Sequence, residues 1–282
     1  MKRMSLFLAV AVAVASIFAN AEESKNLVAN GNAANELNNW AGVKKVVDGG
    51  PNGAKCFEVT NSNFVSSKEL IPVDTKGEYL FTGWFKSGNS KENQIYAGLL
   101  MLDENKRPIN STSVTALAES GTALAAEAKK GETAVKVKDA SKWEKLFQNK
   151  VLTIAFDTDD SGEYKDLPNY KCYAVSNLEK KNDVWEVTLA KPLPSDFPAE
   201  TKVRAHQSSG HYMYVFSLKK NLADWTKYSG TVKPMVKSGS PGSAFWPGTK
   251  YVQVLILANW GQKDGETLLF SNISLEKGEP KK

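Results

Sequence analysis

From residue 24 onward the chain is built from short stretches in which apolar and polar residues alternate with a period of two. In Lys55–Thr60 the side chains of Phe57 and Val59 share one face and Cys56 lies on the other. In Tyr79–Lys86, Tyr79, Phe81 and Phe85 share a parity with Gly83, while Thr82, Trp84 and Lys86 share the opposite one. Ile95–Asp103 is a long apolar run closed by Asp-Glu-Asn. Ala134–Lys138 and Val184–Leu189 alternate, Val151–Phe156 is apolar, and Tyr212–Leu218, Tyr251–Ala258 and Leu268–Leu275 complete the set. Breakers such as Asp48-Gly-Gly-Pro-Asn-Gly53 and Gly239-Ser-Pro-Gly242 separate them. Short strands bounded by turn residues predict an all-β sandwich or barrel. Helical periodicity is weak. Ala116–Ala128 and Ser141–Phe147 are the best helix candidates, with only a turn or two expected from the second.

The texture changes near Thr112: residues 113–128 are small and Ala-rich, residues 131–205 have strands and turns of their own, and aromatic-rich strands then resume. This predicts an insertion, with host halves over 24–112 and 207–276 and an inserted β module over 113–206. At the start, Lys2 and Arg3 precede the apolar run Leu6–Phe18, which ends at Ala19-Asn20-Ala21. That is the pattern of a cleaved export signal over residues 1–21, and the run is too short for a permanent membrane span. The expected destination is therefore outside the cytoplasm: extracellular, periplasmic or at the cell surface, with no membrane insertion after cleavage.

Removing the signal lowers the formal charge from +5 to +3. Lysines and glutamates are interspersed, and no clustered basic face exists for nucleic acid. Cys56 and Cys172 fall in different expected modules, so they are expected as two free thiols and not as a bridge.

Several motifs resemble known families. Asn26-Leu-Val-Ala-Asn-Gly-Asn32 followed by Trp40, Lys76–Lys86, Trp225-Thr-Lys-Tyr-Ser229, and Tyr251–Leu257 with Leu268–Leu275 resemble, in order and spacing, the strands of galactose-binding-like jelly-roll carbohydrate-binding modules. The resemblance implies a jelly-roll sandwich, a polysaccharide or glycan partner, and Trp40 and Trp225 in the core. The family often holds a structural calcium, but here Ala33 or Ala34 replaces the usual Glu and Ser271-Asn272 the usual acidic pair. Thr122-Ala-Leu124, Gly131-Glu-Thr133, Val135-Lys-Val137, Val187-Thr-Leu189, Pro192-Leu193 and Thr201–Arg204 resemble a small β module of large secreted proteins, which implies a barrel-like insert.

Catalytic chemistry is sparse. The chain has only His206 and His211, and no nucleophile elbow, zinc-binding helix motif, P-loop or dinucleotide fingerprint. Asp157, Asp159 and Asp160 sit in one loop, not on opposite sides of a cleft as glycoside hydrolysis requires. Asp157, Asp159, Ser161 and Gly162 match four positions of a calcium loop, but Pro168 occupies the bidentate twelfth position. The loop is thus a candidate calcium site or an ordinary acidic turn. Three functions remain: a non-catalytic glycan-binding protein, a structural or adhesion protein of the cell surface, and a polysaccharide lyase. The first assigns the wet face of the Tyr79–Lys86 strand, with Trp84 and Lys86, to sugar. Tyr251, Gln253 and Asn259 are expected to supply hydroxyl partners, and Trp246 and Trp260 to stand in loops at the rim.

Overall fold

The computed structural model describes residues 25–157, 164–262 and 264–278. The expected export signal lies outside the described residues, as do Asp159 and Ser161 of the candidate calcium loop. Asp157 ends a strand.

The fold is an all-β sandwich. One antiparallel sheet runs in the order β1 (Trp40–Ala41), β4 (Asn63–Ser67), β16 (Tyr251–Ala258), β7 (Asn93–Leu102), β14 (Met213–Lys220), with β5 (Ile71–Pro72) also paired to β16. The facing sheet runs β15 (Thr226–Val232), β6 (Tyr79–Ser87), β17 (Thr267–Lys277), β3 (Cys56–Thr60), β2 (Lys45–Val47). Their inner faces form one apolar cluster. Phe57, Phe81, Phe85 and Phe270 of the second sheet meet Ile95, Leu99, Val252, Val254 and Ile256 of the first, all but buried completely. Strand alternation sorts them: in β6 the odd positions Tyr79, Phe81 and Phe85 are buried, while Trp84 and Lys86 are half-buried on the outer face. Trp40 closes one end, its ring centroid 5.3 Å from Phe57 and 5.8 Å from Phe270.

Residues 122–207 build a third sheet in the order β8 (Thr122–Ala123), β13 (Lys202–Gln207), β10 (Leu152–Asp157), β11 (Cys172–Lys181), β12 (Val184–Leu189), β9 (Ala134–Val137). Its two ends meet. Leu124 bridges to Val137, Ala125 N donates to Lys136 O (2.8 Å) and Lys138 N to Ala123 O (3.0 Å). It encloses its own apolar cluster around Trp143, Val187 and the stacked pair Phe156–Phe197, with centroids 4.0 Å apart.

Ala116–Ala128 contains no helix. Its backbone is drawn into the third sheet, with Leu117 N donating to Ala205 O, Leu124 N to Thr201 O and Ala128 N to Phe197 O. Alanine's helix preference is worth only tenths of a kcal/mol per residue over most others, and tertiary pairing overrides it. Ser141–Phe147 does become helical, as a 3-10 turn at Ser141–Trp143 running into α1 (Glu144–Gln148). Cys56 and Cys172 are both free, one in each part of the chain. Among the described residues no helix is long and apolar enough to cross a membrane.

Candidate functional site

The residues expected to meet sugar do not converge. Trp84 and Lys86 lie on the outer face of the β6 sheet, whereas Tyr251 and Gln253 lie on the outer face of the β16 sheet, across the core from them. Two expectations are corrected. Trp246 is in a loop but only 1% exposed; its indole N–H donates to Pro241 O (3.2 Å), so neither ring face meets solvent. Asn259 is fully buried. Its carboxamide nitrogen donates to Val59 O, Asn61 O and Glu266 O, and its oxygen accepts from Asn93 Nδ2 at 2.7 Å, so its side chain pins loops and has nothing left for a ligand. Trp225, expected in the core, stands one residue before β15, half-buried, with its indole N–H on Gly49 O (2.9 Å). Trp260 is 49% exposed in the turn after β16, as expected for a rim residue.

The outer face of the β16 sheet carries a feature that the sequence reading missed. Tyr96 of β7 and Tyr214 of β14 have ring centroids 5.1 Å apart, Tyr214 lies 6.3 Å from Tyr212, and Tyr212 lies 5.7 Å from Phe64 of β4. The four rings form a continuous series from the edge strand β14 to β4, which lies three strands away with β7 and β16 between them. The rings therefore reach over the intervening strands, where Leu255 and Leu257 of the same face are buried. The tyrosines are half-buried and Phe64 is 38% exposed. Burial, with the neighbouring Tyr212 and Tyr96 phenols, raises the Tyr214 pKa, so the Tyr214 hydroxyl stays neutral at physiological pH. Beside them Gln253 spends its amide N–H on Ser67 O (2.7 Å) and keeps its oxygen as an acceptor, and His211 contacts Asn110 Oδ1 at 3.3 Å. The arrangement suits a ring with apolar C–H faces and hydroxyl edges. Parity alone puts Tyr212 and Tyr214 on one side of their strand, but their meeting with Tyr96 and Phe64 is a long-range event.

Where the third sheet joins the sandwich, Cys172 Sγ lies 3.8 Å from His206 Nδ1. Cysteine beside histidine suggests a nucleophile and its base, but the surroundings oppose this. Nδ1 is 2.6 Å from Thr112 O, which assigns the proton there, and Nε2 accepts from Arg204 Nε at 3.0 Å. Both ring nitrogens are occupied. Burial pushes the Cys172 thiol up to about 12 and His206 down to about 4. Both groups are neutral, and the arrangement is a structural latch. Arg204 is itself held by both Asp166 oxygens, at 2.7 and 2.6 Å.

His206 predicts an acid sensitivity. Its folded pKa of about 4 lies below the ordinary 6.5, so the unfolded chain takes up the proton first as pH falls. The stability it contributes is complete above pH 6.5 and is lost on descent through pH 4, in total on the order of 3 kcal/mol. Arg204, Asp166 and Cys172 face the ring, and the Arg204 charge opposes protonation. Urea unfolding at pH 7.5 and pH 4 should show this loss, and His206→Gln should flatten the profile. Equal pH dependence in the two proteins would refute the assignment.

Among the described residues there is no group of three or more His, Cys, Asp or Glu side chains placed to hold a metal ion. No family model and no curated protein matches the chain. Among solved structures it is similar to carbohydrate-binding modules of sandwich fold. One structure comprises the CBM22-1–GH10 modules of a Clostridium thermocellum endo-1,4-β-D-xylanase complexed with xylohexaose. It is 9% identical at a TM-score of 0.38, over 92% of this chain and 29% of the other. A CBM61 module in complex with β-1,4-galactotriose is 9% identical at 0.35, over 90% of this chain and 100% of the other. A CBM22-1 xylan-binding domain from Paenibacillus barcinonensis is 8% identical at 0.34, over 86% and 87%. The chain thus spans under a third of the xylanase structure's length.

Proposed function

We propose that this chain is an exported, non-catalytic glycan-binding protein whose sandwich offers the Tyr96–Tyr214–Tyr212–Phe64 series to a saccharide chain. The observation that carries the proposal is the run of partly exposed, mutually contacting rings on an outer sheet face. Aromatic faces pack on the C–H surfaces of pyranose rings, and phenol and amide groups at their margins bind hydroxyls. The absence of catalysis is supported by the neutral, fully engaged His206, and export by the basic, apolar and small-residue order of residues 2–21.

Titration of the mature chain with xylohexaose and β-1,4-galactotriose, followed by a glycan array, tests the proposal. Tyr214→Ala and Tyr212→Ala should each weaken binding tenfold or more, about 1.4 kcal/mol. Unchanged affinity in both variants would remove this face from the site. A mature chain that binds no glycan would instead favour a structural or adhesion role.

We further infer that the third sheet is an inserted unit. Gln207 N donates to Thr115 O at 2.8 Å, so the chain leaves and re-enters the sandwich at adjoining residues. The two apolar clusters share no residue. Removing residues 116–206 and joining the ends through a short Gly-Ser linker should leave a soluble, cooperatively unfolding sandwich. A shortened chain that never folds, while the full chain does, would count against an insertion.

A further inference from the structure

We infer a second saccharide site, a groove on the opposite outer face of the sandwich centred on Trp84, so that one chain holds two glycan segments at once. The inference rests on the proposed function only in its ligand class; the site and its residues are separate, and variants at each face tell the two apart.

The groove encloses about 440 Å³, within the range of small-ligand sites. Its floor is the outer face of β6, where Trp84 lies between Lys227 of β15 and Ser271 of β17. Its far wall is a bulge in β17. Ser271 opposes Trp84 and Ser274 opposes Thr82, so one extra residue is accommodated between them. Asn272 takes the strain with φ +51°, a left-handed conformation that asparagine tolerates better than most residues. A bulge of this kind re-aims the side chains at its apex. The other wall is the segment from Asn26 to Asn32. It lies against the bulge because Gly31 has no side chain: a Cβ there would stand 2.0 Å from Ile273 O. Ile273 N donates to Gly31 O (3.0 Å) and Asn26 Nδ2 to Ile273 O (3.2 Å), which holds the wall in place.

The distribution of used and unused hydrogen-bonding groups points to a ligand. Trp40, Trp143, Trp225 and Trp246 each place the indole N–H on a backbone carbonyl. Trp84, half-buried, has no such partner among the described residues, and neither does the half-buried amide of Asn272. Asn32, which lines the groove, uses its oxygen on Ala34 N (3.2 Å), and its NH₂ group has no partner among the described residues. By contrast, Asn26 and Asn30 are consumed in building the wall: Asn26 Oδ1 accepts from Val28 N and Leu275 N, and Asn30 Nδ2 donates to Glu36 O and Asn38 O. One indole face with its free N–H and two carboxamides is a donor and acceptor set matched to neutral hydroxyls. Lys227 and Glu276 contribute one charge of each sign, so the groove has no cationic cluster for phosphate or sulfate.

Calorimetric titration of the mature full chain with xylohexaose and with β-1,4-galactotriose tests the groove. Two sites per chain are expected. Trp84→Ala should remove one of them and Tyr214→Ala the other, with the double variant binding neither sugar. Should Trp84→Ala fail to fold, Trp84→Phe keeps the ring without the N–H. Asn272→Gly keeps the left-handed backbone without the amide. Each should weaken the groove site at least tenfold. A single site that is lost with Trp84 and indifferent to Tyr214 supports the groove and overturns the tyrosine face. A single site indifferent to Trp84 and Asn272 overturns the groove and spares the tyrosine face. Failure of both sugars to bind overturns both.

Discussion

Replacing Trp40 with alanine should lower the unfolding free energy of the sandwich by about 3–5 kcal/mol, the range for deleting a buried large aromatic ring. Trp40 is 2% exposed and packs on Phe57 and Phe270, which are themselves 5.1 Å apart. Its indole N–H also donates to Asn30 O (3.0 Å), so the truncation leaves that carbonyl with only Ala33 N (3.3 Å) and opens a cavity at the same time. The ring joins the turn that ends in β1 to the inner faces of β3 and β17. Guanidinium unfolding of parent and variant measures the effect directly, as a fall in midpoint at similar slope. A shift worth less than 1 kcal/mol would mean that Trp40 is not the keystone that its contacts indicate.

The second large effect is expected at Arg204. Arg204→Ala should cost about 3–5 kcal/mol, because it strands the Asp166 carboxylate in a buried place. The side chains of the pair are only 10% and 8% exposed, and Arg204 also supplies the hydrogen bond that fills Nε2 of His206. Removing both charges in Arg204→Met with Asp166→Asn should recover much of the loss, since a buried ion pair is worth little against an uncharged replacement. Asn169, which donates to Asp166 Oδ2 (2.7 Å) and to Phe156 O (3.0 Å), is a further member of the network that the double variant leaves in place. Thermal unfolding of the single and double variants separates these outcomes. A double variant no more stable than Arg204→Ala would show that the network acts through geometry and not charge.

Much of the fold was legible in the residues. A period of two identifies strands wherever one face is buried. It sorted β6 correctly, with Phe81 and Phe85 inward and Trp84 and Lys86 outward. The pairing of a short apolar run with turn residues on both sides located β9, β12, β16 and β17. Composition alone misled at Ala116–Ala128, a helix candidate whose backbone follows the strands beside it.

Which outer face a residue occupies in the assembled sandwich was not legible. Parity says that Trp84 and Gln253 both point away from the core, but not that they point in opposite directions, because that depends on which sheet each strand joins. Burial from outside the strand is hidden for the same reason. Asn259 reads as a polar residue on the face of Tyr251 and Gln253, yet carbonyls of β3 and of the turns following β3 and preceding β17 converge on it. The tyrosine series depends on β14 pairing with β7, more than a hundred residues away in sequence, through a bulge between Tyr214 and Phe216 that sets which rings face outward. The groove at Trp84 likewise needs the N-terminal segment to meet a bulge near the other end of the chain. Local alternation is a property of the backbone and of the side chains next to one another, so the sequence determines it. Sites arise where segments remote in sequence are brought together, and only packing of the two sheets decides which segments those are.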